Sequence, residues 1–170
     1  MSSSSYFCRF ESGVGPLVAT VDDEGRLVRL AFADGRAAAA PGALEDAARC
    51  AAVVAQLREY FAGARREFDV ALAPPGTPFQ RRVWEELSRI PYGATISYRE
   101  LARRVGNPAA TRAVARANAT NPIAIVVPCH RVIGSDGTLT GYGGGLDRKR
   151  FLLALEGAAT APQQELFASG

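Results

Sequence analysis

The chain has 170 residues, 48% hydrophobic and 22% charged, a balance that can fill a core and excludes whole-chain disorder. No uninterrupted apolar run reaches ~18 residues, no repeat period emerges, and residues 1–10 carry serines without a basic n-region. Solenoids and membrane-spanning helices are therefore not expected, and the chain is read as a soluble, unexported, cytoplasmic protein. The net charge of +3 is uneven, −2 over residues 1–75 and +6 over 76–157, which suits either a polyanion partner or a simple arginine-rich composition.

Residues 17–21 and 27–32 flank Asp22-Asp23-Glu24-Gly25 and predict a β-hairpin. Residues 33–42, with consecutive alanines and Pro41, read as a connector. Apolar positions Ala47, Ala51, Val54, Leu57 and Phe61 recur at helical spacing and predict a helix over 44–62, stopped by Gly63. Residues 68–72 alternate like one more strand. Ala73-Pro74-Pro75-Gly76 then disfavours any regular element and sets a domain boundary.

The second half opens on Thr77-Pro78-Phe79-Gln80, a capping box with proline at the first helical position, followed by the stripe Phe79, Val83, Trp84, Leu87. This helix is expected to end near Ile90, before Pro91-Tyr92-Gly93. Ser97-x-x-Glu100 predicts a second start, running to Gly106, and Asn107-Pro108 a third, over 109–120. Two helices around a Gly-Asn-Pro turn form a helix-turn-helix pattern, which either meets DNA or serves as a packing unit. The third helix mixes Ala109, Ala110, Ala113, Ala115 and Ala117 with Arg112 and Arg116. Small side chains permit close approach to a groove, and alanine is also the strongest helix former.

The apolar run 123–127 ends in Pro128-Cys129-His130-Arg131-Val132. Cysteine attacks as thiolate, so a histidine beside it suggests activation, although sequence neighbours do not face each other on a helix or a strand. A water or a local turn must link the two, and a carboxylate should orient the imidazole. The other reading is a buried, inert cysteine beside a satisfied histidine. Cys8 and Cys50 lack any CxxC spacing, and with one histidine in the chain neither a disulfide framework nor a zinc set is expected.

Taken whole, Pro128-Cys129-His130-Arg131-Val132, with Asn121-Pro122 before it and Gly141-Tyr142-Gly143-Gly144-Gly145 after it, resembles the O6-alkylguanine-DNA alkyltransferases, the methylated-DNA–protein-cysteine methyltransferases. Ile96-Ser97-Tyr98, Gly106-Asn107-Pro108 and Leu152-Leu153-Ala154-Leu155-Glu156-Gly157 extend the resemblance over about residues 77–157. It implies an α+β fold: an N-terminal domain over 1–75 with an antiparallel sheet, RNase H-like by resemblance, packed on a mainly helical domain over 76–157, then a tail over 158–170.

The implied activity is DNA repair by one irreversible transfer from O6-alkylguanine, and O4-alkylthymine, in a flipped-out base. By resemblance Cys129 accepts the alkyl group, His130 acts as base through water, Glu156 orients it, Tyr98 serves the leaving base and Asn121 holds the turn. Arg112 takes the place of the flipped nucleotide on a recognition helix that presents Ala110, Thr111, Ala113 and Arg116 to the minor groove. Tyr142, Gly143, Gly144 and Val132 line the substrate pocket. Thr111 and Arg116 depart from the family's smaller residues on that helix. No metal and no cofactor is implied; the partner is double-stranded DNA with alkylated bases, no membrane is involved, and the protein acts as a monomer. Three other readings stand beside this one. A non-catalytic alkyltransferase-like lesion binder would lack Cys129. A helix-turn-helix regulator would carry major-groove-reading side chains instead of alanines, and a thiol hydrolase would need an oxyanion motif that is missing.

Overall fold

The computed structural model describes residues 4–34, 38–139 and 141–158. It divides into two compact units, residues 1–75 with 122–126, and residues 76–121 with 127–170. Sequence reading assigned 122–126 to the second half; in the structure these five residues belong to the first. Nearly all of the 158–170 tail lies outside the described residues.

The first unit is a four-stranded sheet in the order β3-β2-β1-β4, built from β1 (Ser5–Phe10), β2 (Leu17–Asp22), β3 (Leu27–Phe32) and β4 (Leu44–Glu45), with α1 at Ala51–Phe61. β1 and β3 run antiparallel to β2, and β4 parallel to β1. The predicted hairpin is present. Its turn is closed by Asp22, whose Oδ1 accepts from the backbone N–H of Glu24 and Arg26, and Gly25 supplies the left-handed residue at φ +80°. Every residue of β2 is buried, as an interior strand allows.

Three expectations change in this unit. β1 escaped the sequence reading because its serine-rich start shows no alternation, and pairing with β2 from Ser5↔Asp22 to Phe10↔Leu17 makes it a strand. The helix predicted over 44–62 begins only at Ala51, since Leu44 and Glu45 pair with Tyr6 and Phe7, and the Asp46 N–H donates to the Phe7 carbonyl. From there Val53, Val54, Leu57 and Tyr60 face inward at helical spacing. The predicted strand over 68–72 reduces to one bridge, Leu27↔Leu72, on the outer edge of β3. Further along that edge, Leu30 donates to the Pro122 carbonyl at 2.9 Å and accepts from Ala124 at 3.0 Å. The run 123–127 is thus buried almost throughout without being a strand, and its Ile125 sits at φ +70°.

The second unit holds α2 (Pro78–Leu87), β5 (Ile96–Ser97), α3 (Tyr98–Arg104), α4 (Thr111–Ala119), β6 (Val132–Ile133) and α5 (Leu146–Leu155), with β5 and β6 in parallel. The Thr77 capping box is complete: Thr77 Oγ1 accepts from the Gln80 N–H, and Gln80 Oε1 accepts from the Thr77 N–H. Val83, Trp84 and Leu87 are buried, and the Trp84 indole N–H donates to the Ala117 carbonyl at 2.9 Å, joining α2 to α4.

Two helix starts differ from expectation. Ser97 caps α3 through the Glu100 N–H, but the Glu100 carboxylate turns to Arg103 and Arg104 instead of closing a box. α4 starts at Thr111, not at 109, because Asn107 spends its carbonyl on a turn to the Ala110 N–H. No helix among the described residues is long and apolar enough to cross a membrane.

Candidate active site

Pro128 leads into a single 3-10 turn, Cys129–Arg131, in which Cys129 N–H donates to the Val127 carbonyl at 2.8 Å and Arg131 N–H to Pro128 at 3.0 Å. Residues on such a turn diverge by about 120°, so the Cys129 and His130 side chains leave in different directions. Asn121 Nδ2 donates to the Val127 carbonyl at 2.8 Å, closing the base of the loop that carries the turn.

His130 is fully buried, and its Nε2 lies 2.8 Å from Glu156 Oε2. Glu156 follows the last turn of α5, where a carboxylate opposes the helix dipole. Arg131 offsets this: its Nε donates to Oε1 at 2.8 Å, its Nη2 to Oε2 at 2.9 Å, and its Nη1 to the Ile90 carbonyl at 2.7 Å. Burial alone would raise the Glu156 pKa, but the hydrogen bonds from His130 and Arg131 hold it down at about 2.

Burial also pushes His130 below its ordinary value, and the Arg131 and Lys149 charges act with it against the pull of Glu156. The pair is therefore a neutral imidazole against an ionised carboxylate. Since an ionised carboxylate can only accept, Nε2 carries the hydrogen and Nδ1 keeps the lone pair. That Nδ1 is buried and has no protein partner.

Cys129 is 7% exposed. Burial pushes its thiol up, and hydrogen bonding to Asn121, the charge of Lys149 and hydrogen bonding to Tyr142 oppose this. Lys149 is the chain's only lysine and is fully buried, with Nζ donating to the Val132 carbonyl at 2.6 Å; burial brings it down to about 8 while Cys129 pulls it up. Lys149, Leu152, Leu153 and Glu156 lie on one face of α5 at helical spacing, so one helix supplies both charges. Tyr142 is half-buried, and burial with the adjacent Cys129 raises its phenol well above the ordinary range. Tyr98, first in α3, donates its hydroxyl to the Gly141 carbonyl at 3.5 Å, and its ring centroid is 5.9 Å from Lys149 Nζ.

Cys129, His130, Glu156, Asn121, Tyr142 and Tyr98 thus gather around one turn. Val132 is buried beneath it, while Gly143 and Gly144 lie in a turn closed by Gly145 N–H donating to Tyr142. The α4 set is a separate surface. Arg112, Ala113 and Arg116 are exposed and Ala110 and Thr111 half-exposed, opposite the buried Val114, Ala117 and Asn118.

Sequence reading missed two residues. Arg131 stands in the motif with no assigned role, and Lys149 carries no sequence signal beyond its spacing of seven from Glu156. Among the described residues no three His, Cys, Asp or Glu side chains group as a metal would require.

Residues 6–74 match the ribonuclease-like domain of 6-O-methylguanine DNA methyltransferases, and residues 78–158 match their DNA-binding domain. The chain belongs to the methylated-DNA–protein-cysteine methyltransferase family. A methyltransferase of this name from Methanosarcina acetivorans is 49% identical over 154 residues, covering 90% of this chain and 99% of the relative. One from Mycolicibacterium paratuberculosis is 61% identical over 115 residues, covering 68% and 70%. Among solved structures, Mycobacterium tuberculosis OGT in complex with DNA aligns with a TM-score of 0.84 at 47% identity, covering 89% of this chain and 92% of that one. In this methyltransferase the expected α+β class, a ribonuclease-like domain and a helical DNA-binding domain, is present.

Proposed function

We propose that this methyltransferase binds double-stranded DNA as a monomer, extrudes O6-alkylguanine or O4-alkylthymine, and moves the alkyl group irreversibly to Cys129, once per molecule. The observation that carries the reading is the buried His130–Glu156–Arg131 cluster beside Cys129, with a neutral imidazole whose Nδ1 is left unpaired.

A thiol pushed up by burial needs a base at the moment of reaction. His130 Nδ1 takes the Cys129 proton through a water, and the imidazolium formed is stabilised by Glu156, which Arg131 holds ionised and in place. Lys149 adds a positive charge toward the emerging thiolate. The sulfur then attacks the alkyl carbon, the S–C bond forms as the C–O bond breaks, and the bonding pair leaves with the base. Tyr98 gives the departing base a hydrogen bond or a proton. The thioether is a poor leaving group, so the protein is consumed.

Extrusion exposes an atom that no bulky site could reach in the stack, and a weakened lesion pair costs less to open. Arg112 fills the space left in the duplex, Ala110, Thr111, Ala113 and Arg116 meet the minor groove, and Tyr142, Gly143, Gly144 and Val132 bound the base pocket. The presence of Cys129 favours transfer over lesion sensing alone.

The test is intact and peptide mass spectrometry after mixing the protein with duplex DNA holding one O6-methylguanine. One methyl group confined to Cys129 and saturating at one per chain is expected. Lesion binding by folded, reduced protein with no mass change would overturn the assignment.

A further inference from the structure

The first unit holds two cysteines that the reaction at Cys129 does not use. Cys8 lies on the buried face of β1, directly opposite Ala19 of β2. Cys50 is the N-cap residue of α1, but its side chain does not cap the helix; Sγ instead lies 3.7 Å from the Ala19 carbonyl and 3.8 Å from the Tyr6 carbonyl. Ala19 is the cross-strand partner of Cys8 and Tyr6 lies two residues before it on the same face of β1, so Cys50 sits over the sheet beside the Cys8 position. The two thiols are thus neighbours on one face of the sheet, the arrangement from which an S–S bond of ~2.05 Å can close.

Access to the pair is one-sided. A cleft of about 270 Å³ runs between β1 and α1, lined by Cys8, Phe10, Ala51, Val54, Ala55 and Arg58, among others. The alanines at 51 and 55 leave room there that larger side chains would fill. Cys50 does not line the cleft and has no exposed surface. A small reagent meets Cys8 first and Cys50 only through it.

We propose that Cys8 and Cys50 form an oxidisable dithiol, distinct from Cys129, which a small peroxide entering the cleft converts to an intramolecular disulfide. Cys8 sulfur attacks one peroxide oxygen; the S–O bond forms, the O–O bond breaks, and the thiol proton leaves with the departing hydroxide as water. Cys50 sulfur then attacks the Cys8 sulfenic sulfur; the S–S bond forms, the S–O bond breaks, and the Cys50 proton leaves with that hydroxide as a second water. The two thiols lose two electrons and the peroxide gains them. Burial raises both thiols, while hydrogen bonding to Cys50 and the Arg58 charge favour the Cys8 thiolate; Cys50 is pushed up to about 12. Since the cleft reaches Cys8 and not Cys50, Cys8 is the sulfur oxidised first and Cys50 the one that resolves it.

The test treats the full-length protein with hydrogen peroxide, alkylates free thiols after unfolding, and maps the peptides without reduction. A linked Cys8–Cys50 peptide pair, about 2 Da lighter than its two reduced halves and released by dithiothreitol, is expected. In Cys50→Ser the link is lost and Cys8 proceeds to the sulfinic acid. Should that variant fail to fold, the wild-type map decides alone. Three results would overturn the proposal: both cysteines still alkylated at peroxide doses that consume Cys129, Cys8 sulfinic acid in wild type with Cys50 free, or a link from either one to Cys129. Because Cys129 lies on its own peptide, failure here leaves the alkyl-transfer reading untouched, and the reverse also holds.

Discussion

Glu156→Gln separates the charge of this side chain from its shape. Glu156 accepts three hydrogen bonds, one at Oε1 from Arg131 and two at Oε2 from Arg131 and His130, all between 2.8 and 2.9 Å. All three partners donate, so a glutamine must point its amide N–H₂ at one or two of them. The Arg131 guanidinium, 6% exposed, also loses its counter-charge. Removing one member of a buried ion pair costs about 3–5 kcal/mol. At about 2–4 °C per kcal/mol for a chain of this size, the melting temperature of the unit falls by about 6–20 °C.

Rate suffers separately. When the amide N–H₂ faces Nε2, the imidazole moves its hydrogen to Nδ1 and ceases to be a base there. General-base catalysis contributes about 10²–10⁴-fold, so single-turnover methyl transfer should slow by at least ~100-fold. Circular dichroism melting and rapid-quench transfer from a methylated duplex measure the two effects at pH 7.5. A variant that melts within ~2 °C of wild type and transfers within about twofold would refute the view that Glu156 holds both partners.

Acid stability follows from the same carboxylate. With Glu156 at about 2 in the folded state against an ordinary 4.5, the unfolded chain binds the extra proton, so this stabilisation is complete above pH ~4.5 and drains away toward pH 2, about 3 kcal/mol in all. The stability gap between wild type and Glu156→Gln in denaturant titrations should therefore narrow across that window; a constant gap would contradict the assignment. His130, held below 6.5 by burial, adds a loss of stability that begins near pH 6.5 as the unfolded histidine takes up its proton. In Gly76→Ala the new Cβ would lie 2.5 Å from Trp84 Cη2 and 2.6 Å from Cζ3. Displacing that packed indole should cost about 1–3 kcal/mol, visible in the fluorescence of the chain's only tryptophan during urea unfolding. Arg112→Ala removes an exposed side chain, so stability should change by less than ~0.5 kcal/mol, while transfer from duplex DNA slows by about tenfold as the extruded state loses its support. Unchanged transfer from the duplex would remove Arg112 from the proposed interface.

What could be read directly from the sequence was local. Thr77, Pro78 and Gln80 announce α2 because a capping box is made within four residues, and Asp22 to Gly25 close their hairpin the same way. The residues gathered around Cys129 were identifiable because Cys129, His130 and Asn121 lie close together in the chain and the motif resembles a family. Features fixed by distant partners stayed hidden. β1 exists through β2, Leu44 leaves the helical pattern because Tyr6 offers a parallel partner, and α4 starts late because Asn107 makes a turn. Arg131 and Lys149 have no role in the sequence analysis, since nothing nearby in sequence tells that Glu156, Ile90 and the Val132 carbonyl will receive them in the interior.

The hydrogen bonds that close β3 also set an order of events in synthesis. At Leu27 its outer edge is taken by residues 71–73, but at Leu30 it waits for Pro122 and Ala124. A ribosome adding ~5–20 residues per second needs about 2–10 s to travel from Pro75 to that segment. For that interval the nascent first unit carries an open strand edge, the feature most prone to pairing with a neighbouring chain. Crowded translation of a single message, where several such edges are held close together, is the setting in which this molecule is most exposed to misassembly.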